Sequence, residues 1–122
     1  MKVMFGDNEI LIGRNDRQND RLTFKMANGD DIWLHTKDIA GSHVILRTNN
    51  GNYPDEALEA AAKLAAYYSK GRESGKTEVD YTFAKYVKKP SGAPAGKVIY
   101  TNQHTAYVTP LSVEDVGAVE IK

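Results

Sequence analysis

An α+β domain, with a mainly antiparallel β-sheet, one long amphipathic helix packed on one face and a second, short helix, is predicted by three observations on the 122-residue chain. Apolar and polar side chains alternate with period two in short runs, most clearly at residues 31–35, 42–47 and 78–87. One longer run, residues 55–70, instead repeats its apolar residues at three and four. Strands and helices are therefore segregated along the chain, as strand, short helix, two strands, long helix and three strands, which is the α+β order.

Residues 9–12 form a short apolar strand ending at Gly13. The polar loop 14–20 follows, rich in Asn and Asp, which suit turns and helix caps. Leu22, Phe24 and Met26 alternate as in a strand, but Asp20 as a cap and the helix formers Lys25 and Ala27 favour a short helix. Asn28-Gly29 is a turn that delivers the chain into the central pair. In residues 31–35, Ile32 and Leu34 face one way, and Asp31, the only Trp, Trp33, and His35 face the other. After a turn at Gly41, residues 42–47 continue as a second strand carrying His43. If the two strands pair, Trp33, His35 and His43 come together on one surface, with the opposite face in the core.

Pro54 and Asp55 open the long helix. Leu58, Ala61, Leu64, Ala65 and Tyr68 form its stripe, and Gly71 is its natural stop. Residues 78–87 are a strand rich in aromatic and β-branched side chains. Two Pro and two Gly make residues 88–96 a surface loop. Residues 97–101 and 104–108 are expected to pair as a hairpin across Asn102-Gln103. Pro110 ends the sheet, leaving residues 111–122 as a tail able to add a short strand.

Composition limits the function classes. One domain, 1–122, with a core over 9–110, fits the length. With no Cys there is no disulfide framework, thiolate metal site or Cys nucleophile. No apolar run approaches the roughly 18 residues of a membrane span, and the first six residues lack the order of a signal peptide, so the chain is expected in the cytoplasm with no membrane role. Sixteen basic and sixteen acidic residues balance, and any nucleic-acid role must rest on a local patch.

Such a patch is legible at residues 85–97, where Lys85, Lys88, Lys89 and Lys97 occur with no acid and are interleaved with or flanked by Tyr81, Phe83, Tyr86 and Tyr100. Ammonium groups neutralise phosphate while rings stack on bases; the plainer reading is a solvated loop. His35 and His43, with Asp31 and Asp38, invite a metal or general-base reading. Their spacing matches no standard metal site, and Ser42 beside His43 lacks a nucleophile-elbow frame. No catalytic residue, metal or cofactor is therefore expected.

Taken together, GRND, NDRLTFKMA, DIWLHTKDIAGSHVILR, LAAYYSK and VDYTFAKYVKKPSGAPAGKVIYTNQHTAYVTP resemble, over about residues 9–110, the NFACT-R domain, the C-terminal RNA-binding module of the RqcH, NEMF and fibronectin-binding protein A family. The resemblance implies tRNA and the large ribosomal subunit as partners, in ribosome-associated quality control with C-terminal tailing of stalled peptides. It also implies an NFACT-N or coiled-coil partner, inside or outside the same chain. These 122 residues contain neither region, and tailing in the family depends chiefly on NFACT-N, so tailing is not expected of these residues alone.

The family pattern falls on Arg14, Asn15, Asp20, Trp33, His35, Gly41, Ser42, His43, Asp80, Tyr81, Lys88, Lys89, Pro90 and Gly92. Lys88 and Lys89 are assigned to phosphate, Arg14, His35 and His43 to polar contacts, and Trp33 to stacking, with Gly41, Gly92 and Pro90 shaping the backbone. A protein-interaction role, including an adhesin role, and a His-dependent enzyme are the competing readings.

Overall fold

The computed structural model describes residues 1–122. Strands β1 (Lys2–Phe5) and β2 (Asn8–Ile12) are followed by α1 (Asp16–Arg21), which runs into a wider π-helical turn, Leu22–Met26. Strands β3 (Ile32–Thr36) and β4 (Val44–Leu46) precede α2 (Asp55–Tyr67). Then come β5 (Thr77–Phe83), a single tight turn (Ala84–Tyr86), β6 (Val87–Lys88), β7 (Ile99–Tyr100), β8 (His104–Val108), α3 (Val113–Val116) and β9 (Val119–Ile121). Seven strands make one sheet in the order β8-β5-β3-β4-β2-β1-β9, every pair antiparallel, while β6 and β7 form a separate two-stranded ribbon. The class is α+β, as predicted.

Alternation assigns the strand residues to two cores. Ile10, Ile12, Ile32, Leu34, Val44, Leu46 and Val79 pack against Ala57, Ala61, Leu64 and Ala65 of α2. Because those helix positions are mostly Ala, the helix backbone can lie close to the sheet. Leu11, Trp33 and Ile45 point the other way, and Leu22 and Val87 cover them in a second cluster. The expectation of one core face and one open face is therefore corrected: the π-helical turn and the ribbon bury the indole face as well.

Four elements differ from the expectation. The helix expected over 55–70 ends at Tyr67, 13 residues long. Its C-terminal turn is pulled onto the sheet by the Gly41–Ser69 bridge and by hydrogen bonds from Ser42 N–H to Tyr68 O and Lys70 N–H to Ala40 O. The short helix starts at Asp16, capped by Asn15, whose side chain accepts from Gln18 N–H; Asp20 lies inside it. The expected hairpin does not form. β7 pairs with β6 and β8 with β5, since the left-handed Asn102 (φ 59°) and the Thr82 Oγ1 bond to Thr101 O turn the chain out of the ribbon and back to the sheet. Both ends of the chain enter the sheet: β1 pairs with β2 and β9, and Val3 and Ala118 are core residues.

The cleft beneath the ribbon and the cationic surface beside it

Pairing of Trp33 with Ile45 and Leu34 with Val44 carries the β3–β4 register onward to His35 and His43. Trp33 and His35, two apart on one strand, point to the same face and stack, with ring centroids 5.8 Å apart and planes 11° apart. His43 meets both edge-on, at 5.3 Å from Trp33 and 5.6 Å from His35. Tyr100 from the ribbon closes over the indole at 4.6 Å. The three residues singled out by alternation thus do share one face.

That face forms the floor of a cleft of about 580 Å³. Asp16 and Asn19 of α1, residues 38–41 after β3, and residues 94–98 of the ribbon loop form its walls. His43 ties the floor to the ribbon loop and to the π-helical turn. Its Nε2–H donates to Gly96 O at 3.2 Å, a carbonyl that can only accept, so Nδ1 is the acceptor from Thr23 Oγ1–H at 2.8 Å. The imidazole is neutral: burial, then the neighbouring His35, pushes its pKa down to about 4. Burial also lowers that of His35.

The ribbon loop is clamped on α1 as well. Asp20 accepts from Lys89 Nζ at 2.8 Å and from Gly96 N–H at 3.2 Å, and the Lys89 contact holds its carboxyl below the usual range. Gly96 has φ +82°, a left-handed conformation that a side chain resists, and lies against Asp16. Tyr100 donates to the buried Asp80 at 2.6 Å, and Thr105 donates to the same carboxylate at 2.7 Å, so β7 and β8 are anchored on one β5 residue. Burial and the Asp80 bond raise the Tyr100 pKa.

Gly13 supports this face through Asn19, whose side-chain oxygen accepts from His43 N–H at 3.0 Å. A Cβ on Gly13 would fall 2.0 Å from that oxygen and 3.0 Å from the Asn19 backbone. Gly13→Ala is expected to cost about 1–3 kcal/mol through overpacking, read as a lower denaturant midpoint. An unchanged midpoint would mean that α1 yields without penalty.

The candidate residues separate into groups. Trp33, His35, His43 and Lys97 line the cleft. The stacking role for Trp33 is corrected: the residue is 0 % exposed, and His35 and Tyr100 occupy its faces. Lys88 and Lys97 are exposed and without an ion pair, Lys89 is bonded to Asp20, and Lys85 reaches Asp30 at 3.2 Å. Arg14 lies over the Tyr68 ring at 4.9 Å, in a shallower depression with Gly41 and Ser42. Tyr81 packs against the α2 core. Pro90 O accepts from Ala93 N–H in a turn that contains Gly92. Asp31 is buried and spent on Asn28 N–H, Thr48 N–H and Arg47. No three His, Asp or Glu side chains converge to hold a metal ion.

Arg17 and Arg21 were not among the candidates. They are exposed, four apart on α1, the helix on which Lys89 and Gly96 dock. The spacing R-x-x-x-R was visible, but only a helix beginning at Asp16 puts both on one face.

The family described as NFACT protein RNA binding domain matches residues 4–104. The chain is 54% identical over 102 residues to the Rqc2 homolog RqcH of Bacillus subtilis, covering 83% of this chain and 17% of that protein. It is 50% identical over 105 residues to the Rqc2 homolog RqcH of Streptococcus suis, covering 86% of this chain and 19% of that protein. It therefore spans less than a fifth of either relative's length. The solved C-terminal part of the fibronectin/fibrinogen-binding protein from Streptococcus suis matches with a TM-score of 0.86 at 46% identity, over 90% of this chain and 45% of that one.

Proposed function

Because the chain belongs to the family of NFACT protein RNA-binding domains, we propose that it binds RNA through the surface formed by α1 and the β6–β7 ribbon. In this reading it acts in the cytoplasm as the RNA-binding module of a ribosome-associated quality-control factor. Its partners are tRNA and ribosomal RNA of the large subunit, beside an NFACT-N or coiled-coil region. Tailing of the stalled peptide, and any other reaction, is not assigned to these residues.

The observation that carries the reading is a set of exposed cations without ion pairs, Arg17 and Arg21 on α1 and Lys88 and Lys97 on the ribbon and its loop. In a chain with zero net charge, such a local excess is what phosphate requires. Asp20, the acid between them, is already neutralised by Lys89.

Salt dependence is the test. If three or four phosphates are neutralised, the logarithm of tRNA affinity falls against that of salt with a slope of roughly −2 to −4. Lys88→Ala removes a cation that makes no internal contact, and is expected to make that slope shallower by about 1 and to weaken all RNA sequences alike. Lys89→Ala should also weaken binding, by leaving the Asp20 carboxylate unneutralised beside the cations and loosening the ribbon loop. An unchanged affinity and slope in both variants would refute the phosphate assignment.

A second reading, protein interaction with an adhesin role, draws on the similar structure described as fibronectin/fibrinogen-binding. It predicts salt-tolerant binding to immobilised fibronectin and none to tRNA.

A further inference from the structure

Three features of the cleft are not used by phosphate binding. First, its ionic lining is Asp16, Asp38 and Lys97, a balance of one negative charge, because both imidazoles are neutral near pH 7. A phosphate is disfavoured there; an uncharged, hydrogen-bonding ring is not. Second, the Trp33 Nε1–H at the floor is buried with no acceptor, the one buried side-chain polar atom in the molecule so left. Such a donor is destabilising until an acceptor arrives. Third, His35 lies half-buried beside it and Tyr100 overhead, so the lining is aromatic and polar, and about 580 Å³ is ample for one nucleobase.

We propose that the cleft captures a single unstacked nucleobase. This deepens, and rests on, the RNA-binding reading: phosphates flanking the captured base lie on Arg17, Arg21 and Lys88 outside the cleft, with the exposed Lys97 at its edge, while the base enters beneath the 94–98 loop. Its ring carbonyl or ring nitrogen supplies the acceptor for Trp33 Nε1–H, and the Asp16 and Asp38 carboxylates face its exocyclic amine. Recognition of RNA by bases splayed out of the stack and read on their edges is the general mode for single strands and loops. In this division of labour the cations give affinity and the cleft gives base preference.

The chain has one Trp, so nitrogen-labelled protein has one indole N–H resonance to follow. Adenosine, guanosine, cytidine and uridine, with ribose 5-phosphate and inorganic phosphate as base-free probes, are titrated one at a time. At least one nucleoside is expected to shift the Trp33 indole resonance downfield and saturate at roughly 0.1–1 mM, the range an unanchored ligand of about twenty heavy atoms reaches. The base-free probes should leave it in place. Ala95→Leu, an exposed loop substitution at the cleft wall, should abolish the nucleoside shift, with the backbone resonances of the sheet unmoved, and lower tRNA affinity several-fold at an unchanged salt slope.

Salt-dependent tRNA binding with an indole resonance that no nucleoside moves, or that ribose 5-phosphate moves equally, overturns base capture and leaves the RNA reading intact. A saturable nucleoside shift without tRNA binding upholds the cleft and removes the RNA reading.

Discussion

Trp33→Ala is expected to lower folding stability by about 3–5 kcal/mol, the range for emptying a fully buried Trp site. Trp33 is 0 % exposed and lies among Leu11, Leu22, Ile45 and Val87, in the smaller of the two cores. That core is what holds the α1 turn and the ribbon to the sheet. Against a total of about 5–15 kcal/mol for a domain, the variant would be marginal. Guanidinium unfolding followed by far-ultraviolet circular dichroism would show a lower midpoint with little change in slope. Trp33→Phe, which keeps most of the volume, should lose clearly less. A loss under about 1 kcal/mol for the Ala variant would mean that the ribbon simply closes over the gap and that this cluster is not a core.

Acid is expected to destabilise the fold through His43, by about 3 kcal/mol in all. In the unfolded chain an imidazole titrates near about 6.5, while in the folded protein burial and the nearby His35 hold His43 to about 4. Between those values the unfolded chain carries a proton that the folded chain refuses. The contribution is therefore whole above about 6.5 and is lost as pH falls towards about 4. His35, whose pKa burial also lowers, acts with the same sign. Asp20, held below the usual carboxylate range by Lys89, loses its contribution only under more acid conditions.

Urea midpoints across pH 4–7 would give the slope, about one proton for His43 in the middle of the window. In His43→Gln that slope should shrink, although the variant starts from lower stability because the Thr23 and Gly96 contacts are remade imperfectly. An identical pH slope in the wild type and the variant would show that His43 is not the titrating group. Such a loss would reach the ribbon first, since Gly96 is held by His43 and Asp20 together.

What was legible in the sequence followed from short-range periodicity. Ile32 and Leu34 against Trp33 and His35 is the alternation of a strand, and it put the indole and one imidazole on one face; His43 joins them only through the β3–β4 pairing, on which that expectation was conditional. The alanine-rich run after Pro54 was likewise a helix on its own evidence, because its apolar spacing matches a helical turn. The lysine-rich loop was legible as composition.

Where these pieces go was not legible. Residues 97–101 and 104–108 looked like partners because they are adjacent, yet Asp80, far away in sequence, holds Tyr100 and Thr105 and sends the two strands to different sheets. The last turn of the long helix was lost to a bridge between Gly41 and Ser69. Arg17 and Arg21 became one face only once Asn15 capped the helix.

By itself, then, the sequence determined the α+β class, the central strands and the alanine-rich helix, and the family, since each depends on local pattern or on residues in linear order. Only the tertiary structure decided that Trp33 is a buried floor rather than an exposed platform, that His43 is neutral, and that Lys89 is spent on Asp20 while Lys88 and Lys97 are free. Burial, protonation and ion pairing are set by which atoms lie nearby in space, and for these residues the deciding atoms of Thr23, Gly96 and Asp20 come from distant parts of the chain.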